Sequence, residues 1–130
     1  MLVAIAHPGI RNGYSLNDMK LLQNYHLLEG LRPRFNFLNY WDTALAYGHP
    51  ITLIGSDDFH NISDINEIGN HLTILFSNPT DLKLFNSKLL HGQSAVASLN
   101  HLPYSSIAER KKKISRLQNM IDQIDFSRDT

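Results

Sequence analysis

Cysteine is absent from this 130-residue chain. That absence removes disulfides, thiolate catalysis and sulfur-ligated zinc. His, Asp and Glu remain as possible metal ligands, and seven residues are histidine. Excess charge of either sign is missing too: 12 Lys and Arg balance 12 Asp and Glu. A neutral chain has no general grip on nucleic acid or on an anionic membrane. Long apolar runs are also lacking. No window holds the roughly 18 apolar residues of a spanning helix, and the run over residues 1–6 is too short for a signal-peptide core and follows no basic residue. The expectation is a cytoplasmic chain without a membrane partner. What is present is 42% hydrophobic and 18% charged residues, enough for a packed core and unlike the composition of a disordered chain.

Residues 2–6 form an apolar run stopped by His7-Pro8-Gly9, which predicts a buried strand and a turn. Ser15 is placed to cap a helix reaching about Asn24, with Leu16, Met19 and Leu22 or Gln23 on successive turns. Residues 26–30 predict a second strand and Arg32-Pro33-Arg34 a loop. Residues 35–47 predict a helix ended by Gly48. Residues 51–54 are a third apolar strand, ending at Gly55-Ser56-Asp57-Asp58-Phe59-His60, and 61–70 read as loop. A strand over 72–76, a helix over 80–90 stopped by Gly92, and a weak strand over 94–98 follow. Ser106 and Glu109 have capping-box spacing for a last helix to about Ile124, and 125–130 read as a frayed tail. The run of basic residues 110–113 reads as the wet face of that helix, so nucleic acid is not an expected partner. The strands start roughly 21 to 25 residues apart, the period of a βα unit, and are apolar on both faces as parallel strands are. The expected class is α/β, a run of βα units with about five strands.

In parallel α/β folds, active groups lie at the carboxyl ends of strands. The first strand ends at His7 and the third at Asp58-Phe59-His60. A D-x-H triplet in extended backbone puts both side chains on one side. A carboxylate beside an imidazole suits zinc, manganese or iron. A turn in which Asp57 caps a loop and His60 is solvated fits the same residues. Arg32 and Arg34 follow the second strand and are candidates to hold a substrate phosphate, against the plainer reading of a solvated loop. Glu29 and Asp57 are candidates to orient a ligand or a water, and Asp57 is the alternative ligand should the register shift by one.

Ala6-His7-Pro8-Gly9 after an apolar strand, Trp41-Asp42, Gly48 and Ile54-Gly55-Ser56-Asp57-Asp58-Phe59-His60 together resemble the second half of a PHP (polymerase and histidinol phosphatase) domain. The resemblance covers about residues 1–100 and is closest to the stand-alone phosphoesterases. It implies a distorted (βα)7 TIM-like barrel that hydrolyses phosphate esters with divalent metals, and it matches the family's late ligands to His7, Asp58 and His60. A small phosphorylated substrate is then the expected partner. The family's early motifs, an H-x-H with a following Asp and then His, Glu and His, have no counterpart here: His26, His49, His71, His91 and His101 do not match them. Residues 1–124 therefore read as a carboxyl-terminal portion of a PHP-like domain, short of metal ligands. Whether such a chain binds metal or turns over is left open. The alternative is a non-catalytic remnant that binds a partner, associates with itself, or pairs with a missing amino-terminal half.

Overall fold

The computed structural model describes residues 1–61, 63–64 and 68–99, and beyond them residues 112, 115–116, 119 and 123. Of the helix expected from Ser106, residues 112, 115–116 and 119 are described and are helical, while Ser106, Glu109 and the tail over 125–130 lie outside the described residues. Over the described residues up to 99 the fold is mixed α/β, with six strands and three helices in the order β1 (Ala4–Ile5), α1 (Leu16–Leu21), β2 (Leu27–Arg32), β3 (Phe35–Asn36), α2 (Leu38–Ala46), β4 (Thr52–Gly55), β5 (His71–Leu75), α3 (Leu82–Leu90) and β6 (Ser94–Ser98).

β2 is the centre of a four-stranded sheet. β1 pairs with it in parallel through Ala4 and Ile5. β4 pairs in parallel along the opposite edge, with an irregularity between Glu29 and Leu31. The hairpin strand β3 pairs back on Leu31 and Arg32. Because Leu27, Leu28 and Leu31 already face β4, β1 and β3 share the other edge of β2 in tandem. The chain leaves β1 in the gap between them, and that places His7 beside the middle of β2.

β1 is short because Pro8 has no N–H to donate and the His7 N–H goes to a side chain, Glu29. α1 starts as expected at Ser15, whose hydroxyl accepts from Asp18 N at 3.2 Å while the Asp18 carboxylate accepts from Ser15 N at 2.6 Å. It ends at Leu21 rather than near Asn24, because Leu22 is extended and Asn24 adopts φ 63°. α2 begins at Leu38, later than expected. Phe35 and Asn36 are taken by the hairpin, and Asn36 Oδ1 accepts from Leu38 N at 2.9 Å. Trp41 Nε1 donates to Ile51 O at 2.8 Å and ties α2 to the start of β4. Asp81 caps α3 by accepting from Leu84 N at 2.7 Å. Gly48 and Gly92, at φ 83° and 64°, follow α2 and α3 as the sequence predicted.

The expectation of parallel strands throughout is corrected at two places. β3 is antiparallel to β2, and β6 runs antiparallel to β5 in a second sheet, from His71 opposite Ser98 to Leu75 opposite Ser94. The two sheets meet where Thr73 Oγ1 donates to Gly55 O at 3.1 Å and accepts from Gly55 N at 3.0 Å. The described residues form no closed barrel. Ile5, Met19, Leu28, Ala44 and Ile51 make the core, where α1 and α2 cover one face of β1, β2 and β4. Full burial of an Ile, Leu or Met side chain contributes about 1.5–3 kcal/mol, and of the Ala44 methyl about 0.8 kcal/mol. No helix among the described residues is long and apolar enough to cross a membrane.

Candidate functional site

The carboxyl ends of β1, β2 and β4 open on one cleft of about 720 Å³, lined by His7, Gly9, Ile10, Arg11, Arg32, Phe35, Asp58 and His60. Its frame is built from beneath. Glu29 on β2 is only 3% exposed. One carboxylate oxygen accepts from the His7 backbone N–H at 2.6 Å and the other from the Ser56 hydroxyl at 2.5 Å. Ser56 Oγ in turn accepts from Asp58 N at 3.3 Å, and Ser56 N donates to Leu31 O at 3.0 Å. A single buried carboxylate thus fixes the ends of both strands that carry site residues.

Held in this way, His7 and Asp58 both take left-handed backbone, at φ 38° and 49°. Such angles cost a residue with a Cβ about 1–3 kcal/mol and gather at binding and catalytic sites. Asp58 is the hub of the cleft. Its Oδ1 lies 3.6 Å from His7 Nε2, and its Oδ2 lies 3.9 Å from His60 Nδ1. The same Oδ2 pairs with the Arg32 guanidinium. Arg32 is largely buried, lies over the Phe35 ring at 5.6 Å, and keeps its Nε without a hydrogen-bond partner. His60 is mostly exposed, and its Nδ1 is hydrogen-bonded to the backbone carbonyl of Asp58.

The side chains of His7, Asp58 and His60 therefore come together at one rim, and Arg32 joins them. Arg34 does not: it sits exposed at the hairpin turn, at φ 68°, outside the cleft lining. Asp57 points elsewhere. Its carboxylate accepts from the backbone N–H groups of Gly69, Asn70 and His71, the last two at 2.9 and 2.8 Å, and so fastens the start of β5. That is the corrected role of Asp57, since it orients neither His7 nor His60. Glu29 does brace the site, but through the main chain of His7 rather than its ring. Sequence reasoning passed over Ser56, Phe35 and Arg11. Ser56 had a readable signal, standing two residues before Asp58; the other two are gathered by the hairpin and by the turn after β1.

A divalent ion bonded at about 2.0–2.2 Å to nitrogen and oxygen keeps its donors within about 4 Å of each other. His7 Nε2 and Asp58 Oδ1, at 3.6 Å, meet that condition. The remainder of the set does not fit. Asp58 Oδ2 is held by Arg32, and His60 Nδ1 is turned to a backbone oxygen. Among the described residues no group of three His, Asp or Glu side chains is arranged to hold a metal ion. Comparison with protein-family models, with curated proteins and with solved structures gives no match.

Proposed function

We propose that the chain is a carboxyl-terminal portion of a PHP-like, metal-dependent phosphoesterase, and that the cleft is where the phosphate ester is received. The observation in support is the meeting of His7, Arg32, Asp58 and His60 at the carboxyl ends of parallel strands. In this reading the exposed face of His7, 43% of its side-chain surface, and the guanidinium of Arg32 meet the phosphoryl oxygens, a match of donors to acceptors. Glu29 and Ser56 keep His7 and Asp58 at their present separation. The role assigned to these side chains is binding of the ester.

The test is titration of the chain with phenyl phosphate, followed by imidazole proton resonances, with a p-nitrophenyl phosphate assay with and without added Mn²⁺ alongside. The expected result is saturable binding, weakened in His7→Ala. Binding that His7→Ala leaves unchanged refutes the reading. A second reading, a non-catalytic module that associates with itself, has support in the open sheet and in Leu21 and Leu82, 77% and 73% exposed. It predicts a dimer or larger species in sedimentation and no phosphate ester binding.

A further inference from the structure

We infer that Asn12 is a site of self-modification in the folded chain: the Gly13 amide nitrogen attacks the Asn12 side-chain amide, and the resulting acid adds a negative charge beside the cleft. The chemistry rests only on the turn after β1. Its consequence for ligand binding rests on the phosphate-ester reading above.

Asn12 is the one asparagine in the sequence followed by glycine. Such a pair cyclises readily, because glycine has no Cβ to hinder the approach of its nitrogen to the side chain before it. Here the fold imposes the glycine. A Cβ on Gly13 falls 2.5 Å from Pro8 O and 3.0 Å from Ile10 O, so no larger residue replaces it without moving the turn. Asn12 is exposed, and water reaches it. One hydrogen bond, from Gly13 N to Ile10 O at 2.9 Å, holds the attacking nitrogen in the turn. Arg11 inside that turn is left-handed, at φ 55°. The strain of such a residue is of the same size as the net worth of one exposed hydrogen bond, so the turn opens readily and frees the nitrogen. In the step itself the deprotonated Gly13 nitrogen bonds to Asn12 Cγ, the Cγ–Nδ2 bond breaks and ammonia leaves. Water then opens the five-membered imide at either carbonyl, giving aspartate or isoaspartate; no oxidant or reductant takes part.

The new carboxylate stands next in the chain to Arg11, one of the two guanidinium groups in the cleft lining. Isoaspartate also lengthens the main chain there by one methylene. An anionic ligand meets an added like charge, worth about two- to threefold in affinity through screened water.

The test incubates the full chain at mildly alkaline pH, folded and in urea, and maps it by mass spectrometry, with isoaspartyl methylation as a second readout. Asn17 in α1 and Asn86 in α3 are internal references, since helical backbone holds the next nitrogen away from the side chain. In the folded chain Asn12 is expected to react about tenfold or more faster than either. Reaction at Asn12 in urea but not in the folded chain overturns the inference, as does a folded rate no higher than those of Asn17 and Asn86. Phenyl phosphate then reads the consequence. Asn12→Asp is expected to bind it about two- to threefold more weakly than wild type, and equal affinity overturns the link to the cleft. A wild type that binds no phenyl phosphate, with Asn12 still reacting, sinks the phosphate-ester reading and leaves the modification standing.

Discussion

Replacing Glu29 tests the frame of the site most directly. Glu29→Ala strands two donors, the His7 N–H and the Ser56 hydroxyl, in a place only 3% exposed. A hydrogen bond to a charged group contributes about 1.5–3 kcal/mol, and orphaned buried donors cost in the same range. Two such bonds set an expected loss of about 3–4 kcal/mol, a large share of the about 5–15 kcal/mol that holds a typical domain together. Glu29→Gln keeps an acceptor for His7 and lets its amide donate to Ser56 Oγ, so its expected cost is about 1 kcal/mol. Urea unfolding followed through Trp41, the one tryptophan, reads the difference. With a slope of about 2 kcal/mol/M, Glu29→Ala lowers the midpoint by about 1.5–2 M and Glu29→Gln by about 0.5 M. Ser56→Ala in both backgrounds closes a double-mutant cycle, with a coupling of about 0.5–3 kcal/mol expected for bonded partners. Equal midpoints for Glu29→Ala and Glu29→Gln, or a coupling of zero, refute the bridge between the two strand ends.

Asp57→Ala removes the acceptor for three backbone N–H groups at the start of β5; faster hydrogen exchange at 69–71 and a loss of about 2–3 kcal/mol are expected, with phosphate binding unchanged. Gly30→Ala forces a Cβ to within 2.3 Å of Leu53 Cδ1; chemical denaturation is expected to show a loss of about 1–3 kcal/mol, partly recovered by adding Leu53→Ala. The Asp18 carboxyl is held below the usual aspartate range by hydrogen bonds from the Ser15 backbone and hydroxyl. A lowered folded-state pKa stabilises above the unfolded value of about 3.9 and is lost as pH falls through the folded one. Wild type should therefore exceed Asp18→Asn in melting temperature near neutral pH, and the gap should close in acid.

The elements nearest the site were the most legible from sequence. His7 and Asp58-Phe59-His60 each follow an apolar β-branched or aliphatic run, and strand ends are where parallel folds expose polar groups. Ser15 with Asp18, and Gly48 and Gly92, carry local signals that need no tertiary knowledge. What stayed hidden depends on long-range partners. Phe35 reads as the start of a helix until Arg34 turns left-handed and sends it back along β2. The direction of β6 has no mark in the sequence, since an apolar five-residue strand serves either orientation. Asp57 and Asp58 are chemically identical neighbours. Only the fold decides that one meets amides 12 to 14 residues ahead and the other meets a guanidinium 26 residues behind.

The left-handed backbone at His7 and Asp58 sets backbone strain against the side chains of the cleft under mutation. Glycine adopts such angles without the steric penalty, so His7→Gly and Asp58→Gly each relieve strain while deleting a side chain of the cleft. A chain selected for stability alone gains from glycine at His7, where libraries sorted only for folding should recover it, but not at Asp58, whose loss leaves the largely buried Arg32 guanidinium unpaired. The histidine and the aspartate carry this strain of about 1–3 kcal/mol each, and at Asp58 the pair with Arg32 works against it.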